Sequence, residues 1–173
     1  MKILFILIIL VLNMINTDFE TLLGKNVSDI SFIGNSENTL NDNIYIISSP
    51  KVQFLGKPIN QIGISTNKDK TIQRIIIFFP QTTTVDRSFY KTISDKYGYD
   101  YDVMVVDKTL SEESSSIKEN KTSFKANLRQ TTMLLKKGSI EDDNIINLLW
   151  DKDNFQIILF LNNNRKQVSF VKK

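Results

Sequence analysis

The sequence predicts an α+β domain, an antiparallel sheet of about six strands with one or two helices packed on one face. Three observations predict it. Short apolar runs with a two-residue alternation recur along the chain, as half-buried strands require. Polar turns rich in Asn, Asp and Lys separate several of them. One clear four-residue apolar period follows the strongest strand and marks a helix.

The clearest unit spans residues 59–101. Ile62 and Ile64 alternate with Gly63 and Ser65, and Asn67, Lys68, Asp69 and Lys70 form a polar turn. Residues 71–79 are rich in β-branched and aromatic side chains. Ile75, Ile77 and Phe79 point to one face of that strand, Ile76 and Phe78 to the other, a pattern that belongs in the middle of a sheet. Pro80 has no N–H to donate and ends the strand. Val85, Phe89, Ile93 and Tyr97 then fall on one helical stripe, widened by Tyr90. Thr84 is the expected N-cap, Asp86 complements the positive helix N-terminus, and Gly98 stands where a left-handed C-cap residue belongs.

Upstream, residues 18–25 suit a short helix ending at Gly24, and 35–43 form a polar loop. Residues 43–48 make a strand closed by Ser49-Pro50, and Val52 and Phe54 lie on one side of a further short strand. The run 22–30 is echoed by 54–62, which shares Leu-Gly-Lys and two later apolar positions, a weak hint of a repeated turn-plus-strand unit. Downstream, 103–106 is a valine-rich strand. Residues 107–121, charged and serine-rich, read as a mobile surface loop. Residues 122–137 fit a helical stripe through Phe124, Leu128 and Leu135, although their threonines suit a strand; a helix ending at Gly138 is the expectation. Residues 144–150, 155–161 and 167–171 make three antiparallel strands. In the second, Phe155, Ile157, Leu159 and Leu161 line one face and Ile158 and Phe160 the other.

With 173 residues and a hydrophobic fraction of 41%, the chain can bury one real core. Residues 18–173 are expected as a single domain. The formal charge of +3, from 22 basic and 19 acidic residues, is too balanced to imply a nucleic-acid groove. Met1-Lys2 followed by the apolar run 3–12 resembles a secretory signal peptide, expected to cover residues 1–17. The run is short for a membrane span, so membrane association is expected only if this segment stays attached.

There is no histidine and no cysteine. Imidazole catalysis, thiol catalysis, structural zinc sites and disulfides are therefore excluded. Neither a GxGxxG nor a GxxxxGK[ST] phosphate loop occurs. The acidic turn Asp151, Asp153 and Asn154 lacks the spacing of a calcium loop, and no metal or cofactor is expected. Glu112 to Ser116 is a solvated run. Asn26 and Asn120 match the glycosylation acceptor pattern, as chance allows in an Asn-rich chain. Tyr97, Tyr99 and Tyr101, interleaved with Asp100 and Asp102, are candidate ligand-binding residues, because tyrosine offers amphipathic area at low entropic cost. The resulting expectation is an exported domain, periplasmic or extracellular, without catalysis. It would bind a protein partner or form a homo-oligomer, because strands apolar on both faces leave a second face to cover. The alternative is an exported hydrolase using Asp or Glu carboxylates.

Overall fold

The computed structural model describes residues 15–31, 38–41, 43–84, 87–118, 125–142, 145–161 and 166–173. Residues 1–14 of the expected leader lie outside them, as do Val85 and Asp86, which the sequence assigns to the helix. In chain order the strands are β1 (Ile15–Asn16), β2 (Asn38–Asn41), β3 (Ile44–Ser48), β4 (Val52–Phe54), β5 (Lys57–Pro58), β6 (Gln61–Thr66) and β7 (Ile72–Phe78). Helix α1 (Arg87–Tyr97) follows, then β8 (Asp102–Lys118), β9 (Lys125–Gly138), β10 (Ile145–Asp151), β11 (Phe155–Phe160) and β12 (Gln167–Lys172).

Nine of these strands form one antiparallel sheet in the order β2-β3-β6-β7-β12-β11-β10-β8-β9. β1, β4 and β5 form a small second sheet. The mostly antiparallel α+β architecture is as expected, but the main sheet has nine strands rather than about six. Local turns explain most of the order. Asn67 Oδ1 accepts from the N–H groups of Asp69 and Thr71, and Lys70 takes a φ of 60°, which closes the β6–β7 hairpin. Leu55 and Gly56, with φ of 48° and 73°, turn β4 directly into β5. That is the geometry of a two-residue primed turn, and it needs the freedom of Gly56. Gly24 is also left-handed, at φ 82°, yet it follows a 3-10 turn (Phe19–Leu22) rather than joining strands. The echo between 22–30 and 54–62 therefore stops at the glycine.

The halves of the sheet meet where β7 pairs with β12, two strands far apart in sequence. α1 makes that possible. The chain leaves β7, passes over β12, β11 and β10, and enters β8, four strand spacings or about 19 Å away. An 11-residue helix is about 16 Å long, which covers most of that crossing. Phe89, Ile93 and Tyr97 of its stripe are buried against the sheet, and Gly98, at φ 96°, ends it with its N–H on the Ser94 carbonyl at 2.7 Å. Trp150 of β10, fully buried, donates its indole N–H to the Gly98 carbonyl at 2.9 Å and pins the helix end to the sheet.

The core lies between α1, the small sheet and one face of the main sheet. Ile62, Ile64, Ile75, Ile77, Val168, Phe170, Ile157, Leu159 and Leu148 face it, each at most 1% exposed. Above them sit Phe19 from the 3-10 turn and Phe54 from β4, both at 0%. Phe54 packs edge-on against Phe170, with ring centroids 5.5 Å apart, and touches Phe19, Phe79 and Phe89 at 6.1 to 6.5 Å.

Two expectations fail on the β8–β9 segment. The run 107–121, expected as a loop, continues β8 as strand to Lys118. The run 122–137, expected as a helix, is strand β9 from Lys125 onward. Backbone pairing from Val103–Gly138 to Lys118–Lys125 joins the two, with register shifts near Asp107 and Leu110. β10 reaches β8 only between Asp102 and Val105, so beyond Val106 the pair continues as a two-stranded ribbon among the described residues. Seventeen residues of β8 extend about 55 Å. Gly138 is not a helix cap: a Cβ there would come within 2.5 Å of Val105 and of the Asp142 carboxylate, so glycine permits the close strand approach. Lys136–Asp107 and Lys137–Asp102 ion pairs, at 2.9 and 2.7 Å, flank the base of the ribbon.

Phe54→Ala removes the ring that the small sheet inserts between α1 and the main sheet. We expect a loss of about 3–5 kcal/mol, as for large-to-small changes in a tight core. Denaturant unfolding measures it, and a loss below about 1 kcal/mol would contradict this packing.

Candidate binding surface

The strand register lays out the outer face of the main sheet, opposite α1, row by row. Ile46, Gly63, Ile76, Ser169, Ile158 and Leu149 follow one another across β3, β6, β7, β12, β11 and β10. The next row runs Ser48, Gln61, Phe78, Gln167, Phe160, Asn147 and, on β8, Met104. Ile46, Ile76, Phe78, Ile158, Phe160, Leu149 and Met104 are all half-buried, and none belongs to the core cluster. The buried side chains of α1, the small sheet and the 3-10 turns all join the opposite, inner face. Among the described residues the outer face therefore has no second layer.

This face is corrugated. In the rows through Ile76 and Phe78 large apolar side chains stand on β3 (Ile46), β7 and β11, whereas the intervening β6 and β12 carry Gln61, Gly63, Gln167 and Ser169; the row beyond Ile76 runs Ile44, Ser65, Arg74, Val171, Gln156 and Asp151. Between β3 and β11 the ridges recur every second strand, about 9.6 Å apart, and Leu149 on β10 broadens the last of them. A Cβ on Gly63 would lie 3.8 Å from the Phe78 ring, which leans over this trough. Ser169 and Gln167, at 3% and 9% exposure, are sheltered between the β7 and β11 ridges.

The three candidate tyrosines do not form one site. Tyr97 is buried, edge-on to Phe155 and Phe170 at 6.4 and 6.3 Å, and its hydroxyl donates to Glu20 at 2.7 Å. It is a core residue. Tyr99 is 63% exposed and donates to Asp95. Tyr101 packs on Trp150 with centroids 5.0 Å apart. Tyr99 and Tyr101 share a shallow cleft of about 170 Å³ with Tyr90, Lys91, Ser94, Ile140 and Glu141. Tyr97 instead borders a wider cleft of about 490 Å³ beside Lys96 and the turn from Asp151 to Phe155.

That second cleft adjoins a charged cluster that sequence reading missed. Lys96 reaches both Asp18 and Glu20, the latter at 3.0 Å. Burial pulls the Lys96 pKa down, but the hydrogen bonds and charges of the two carboxylates outweigh it and hold it above its ordinary value. Burial, reinforced by the hydrogen bond to Glu20, pushes the Tyr97 hydroxyl well above the ordinary tyrosine range. Asp18 and Glu20 lie almost eighty positions from Lys96 and Tyr97, so no local signal links them.

The other sequence features have structural partners. Asp151 accepts from Gln156 at 3.0 Å and pairs with Lys173 at 2.7 Å, which with the Lys173 hydrogen bond first holds its carboxyl below the usual range. Asp95 is likewise lowered, by its hydrogen bonds from Tyr99 and then Lys91. Neither displacement suits a proton donor. Among the described residues no three acidic side chains converge as a metal site. Asn26 is already engaged, accepting from the Ser28 N–H at 3.0 Å and donating to the Asp69 carbonyl at 3.2 Å. Asn120 lies outside the described residues, and the side chains of Glu112 to Ser116 do also.

The sign of two shifts yields a prediction. Raised folded-state values for Lys96 and Tyr97 favour the protonated forms, so their stabilisation is complete below the unfolded pKa of about 10 and is lost as pH rises above it. Followed by tyrosinate ultraviolet absorbance, one tyrosine should resist ionisation until the fold opens, and Tyr97→Phe should remove that late step. Unchanged titration in the variant would contradict the assignment. Comparison of this chain with protein-family models, with curated proteins and with solved structures finds no match, so the reading of its surface rests on geometry alone.

Proposed function

We propose that the chain is an exported, non-catalytic domain whose outer sheet face holds another protein chain. The observation that carries this reading is the corrugated apolar face without a second layer among the described residues. Apolar patches of this extent on soluble domains mark interaction sites. The core on the opposite face is closed by α1, the small sheet and the Phe54 cluster. Ile76, Phe78, Ile158 and Phe160 are half-buried and stand outside that core cluster. No specific observation favours the hydrolase, and no cofactor is part of the proposal.

Export, to the periplasm or the medium, rests on the basic start Met1-Lys2 and the apolar run 3–12. The position of Phe19 is compatible with it. That ring is fully buried, so a cut near Asp18 leaves the core whole. Such a cut would remove β1 and with it the pairing of Ile15 and Asn16 to Val52 and Gln53.

Intact mass of the exported protein should show a mature chain beginning near Asp18, and a full-length mass in the membrane fraction would contradict export as drawn. Binding is tested by photo-crosslinking in the expressing cells, with benzoylphenylalanine replacing Phe78 or Phe160 and, as control, Lys68 in the β6–β7 turn. The two face positions should give adducts heavier than the monomer and the control should not. Adducts within one chain only, at both face positions, would overturn the proposal.

A further inference from the structure

Resting on the reading of the outer face as a docking surface, we infer that its occupant is a second copy of this chain, packed sheet to sheet. Three features point to a copy. The first is shape. Ridges on β3, β7 and β11 alternate with troughs on β6 and β12, floored by Gly63, Ser65 and Ser169. A surface with a two-strand corrugation is complemented by the same surface displaced by one strand, about 4.8 Å, so that the β7 ridge of each copy enters the β12 trough of the other. A two-fold axis makes these contacts reciprocal.

The second feature is charge. The rows through Ile76 and Phe78 carry no ionisable side chain between β3 and β10; the third row carries Arg74 on β7 and, on β10, Asp151 paired to Lys173, and Asp102 stands at the β8 border, paired to Lys137. Within the two rows through Ile76 and Phe78 like-charge repulsion across the axis is avoided and the covered polar side chains are short or neutral; Arg74 and Asp151 lie in the outermost row, at the rim. The third is area. Seven strands at about 4.8 Å, each contributing about five residues at about 3.4 Å, give a plan area of about 570 Å² per copy. About 1,100 Å² between two copies clears the roughly 1,000 Å² that a specific interface needs. Aligned sheets at about 10 Å separation would turn two half-covered sheets into one sandwich, with α1 and the small sheet on the outside of each copy.

Light scattering on the full chain as it is purified, over a dilution series, reads the oligomeric state. The chain contains no cysteine, so an Ile158→Cys substitution also gives a unique thiol on the face, titrated with a maleimide. A dimer whose thiol reacts at least tenfold faster on dilution to the monomer, together with a Phe78→Glu variant that is monomeric and folded by circular dichroism, is the expected result. A monomer with a reactive thiol overturns the second copy while leaving the face open to a different protein. A monomer with a protected thiol means the chain's own segments cover the face, which overturns both this inference and the docking reading. A dimer with a freely reactive thiol associates elsewhere and overturns the inference.

Discussion

The ring of Phe54 sits where α1, the small sheet and the main sheet meet. It packs on Phe170 of β12 below it, on Phe89 of α1, on Phe79 at the end of β7 and on Phe19 from the N-terminal 3-10 turn. These residues come from five separate stretches of chain, so burial of this one cluster depends on the whole topology being in place. α1 must cross β12, β11 and β10 to bring Phe89 there, and β7 must pair with β12 to bring Phe79 beside Phe170. Edge-to-face geometry, as between Phe54 and Phe170, adds to the area term the attraction between positive ring edges and negative ring faces.

With that cluster on one side, the sheet becomes a two-sided object with unequal sides. One row of the inner face is aliphatic without interruption: Ile62 meets Ile77, which meets Val168, which meets Leu159, which meets Leu148. Between β3 and β11 the outer face, in the rows through Ile76 and Phe78, separates its large residues with a small or amide side chain. A sheet buried on both faces by its own chain has no reason to place Gly63, Ser65, Gln167 and Ser169 between its large residues. A sheet that receives a mate with the same relief does. The β8–β9 pairing runs on past its last contact with β10 among the described residues, and its base is held by the Lys136–Asp107 and Lys137–Asp102 pairs.

What was legible in the sequence follows the same division. Strands β3, β4, β6, β7, β10, β11 and β12 were legible because burial on one face imprints a two-residue period, and α1 because Phe89, Ile93 and Tyr97 imprint a four-residue one. Ile76 and Phe78 announced a second apolar face, but adjacency in sequence cannot say which face a helix will choose. β9 and the far part of β8 were illegible for a physical reason. Neither run carries a clean two-residue apolar period, and Gly138 mimicked a helix end while serving a close approach to Val105. The tyrosines misled through proximity: Tyr97 and Tyr99 are two residues apart yet separated by the left-handed turn at Gly98, which sends one into the core and the other to solvent. Lys96 and its carboxylates were out of reach of any local pattern.

The inequality of the two sheet faces is tested within a single peptide unit by the adjacent residues Ile75 and Ile76 of β7. Thermal unfolding of Ile75→Lys and Ile76→Lys, each measured on the full chain by circular dichroism, is the direct comparison. A lysine at position 75 enters the core, where an unpaired charge is strongly destabilising, so that variant should be unfolded or nearly so. The variant at position 76 should remain folded, with a melting temperature lowered only modestly. Equal unfolding of both variants would show that the outer face is interior in the folded chain, and the account would fall.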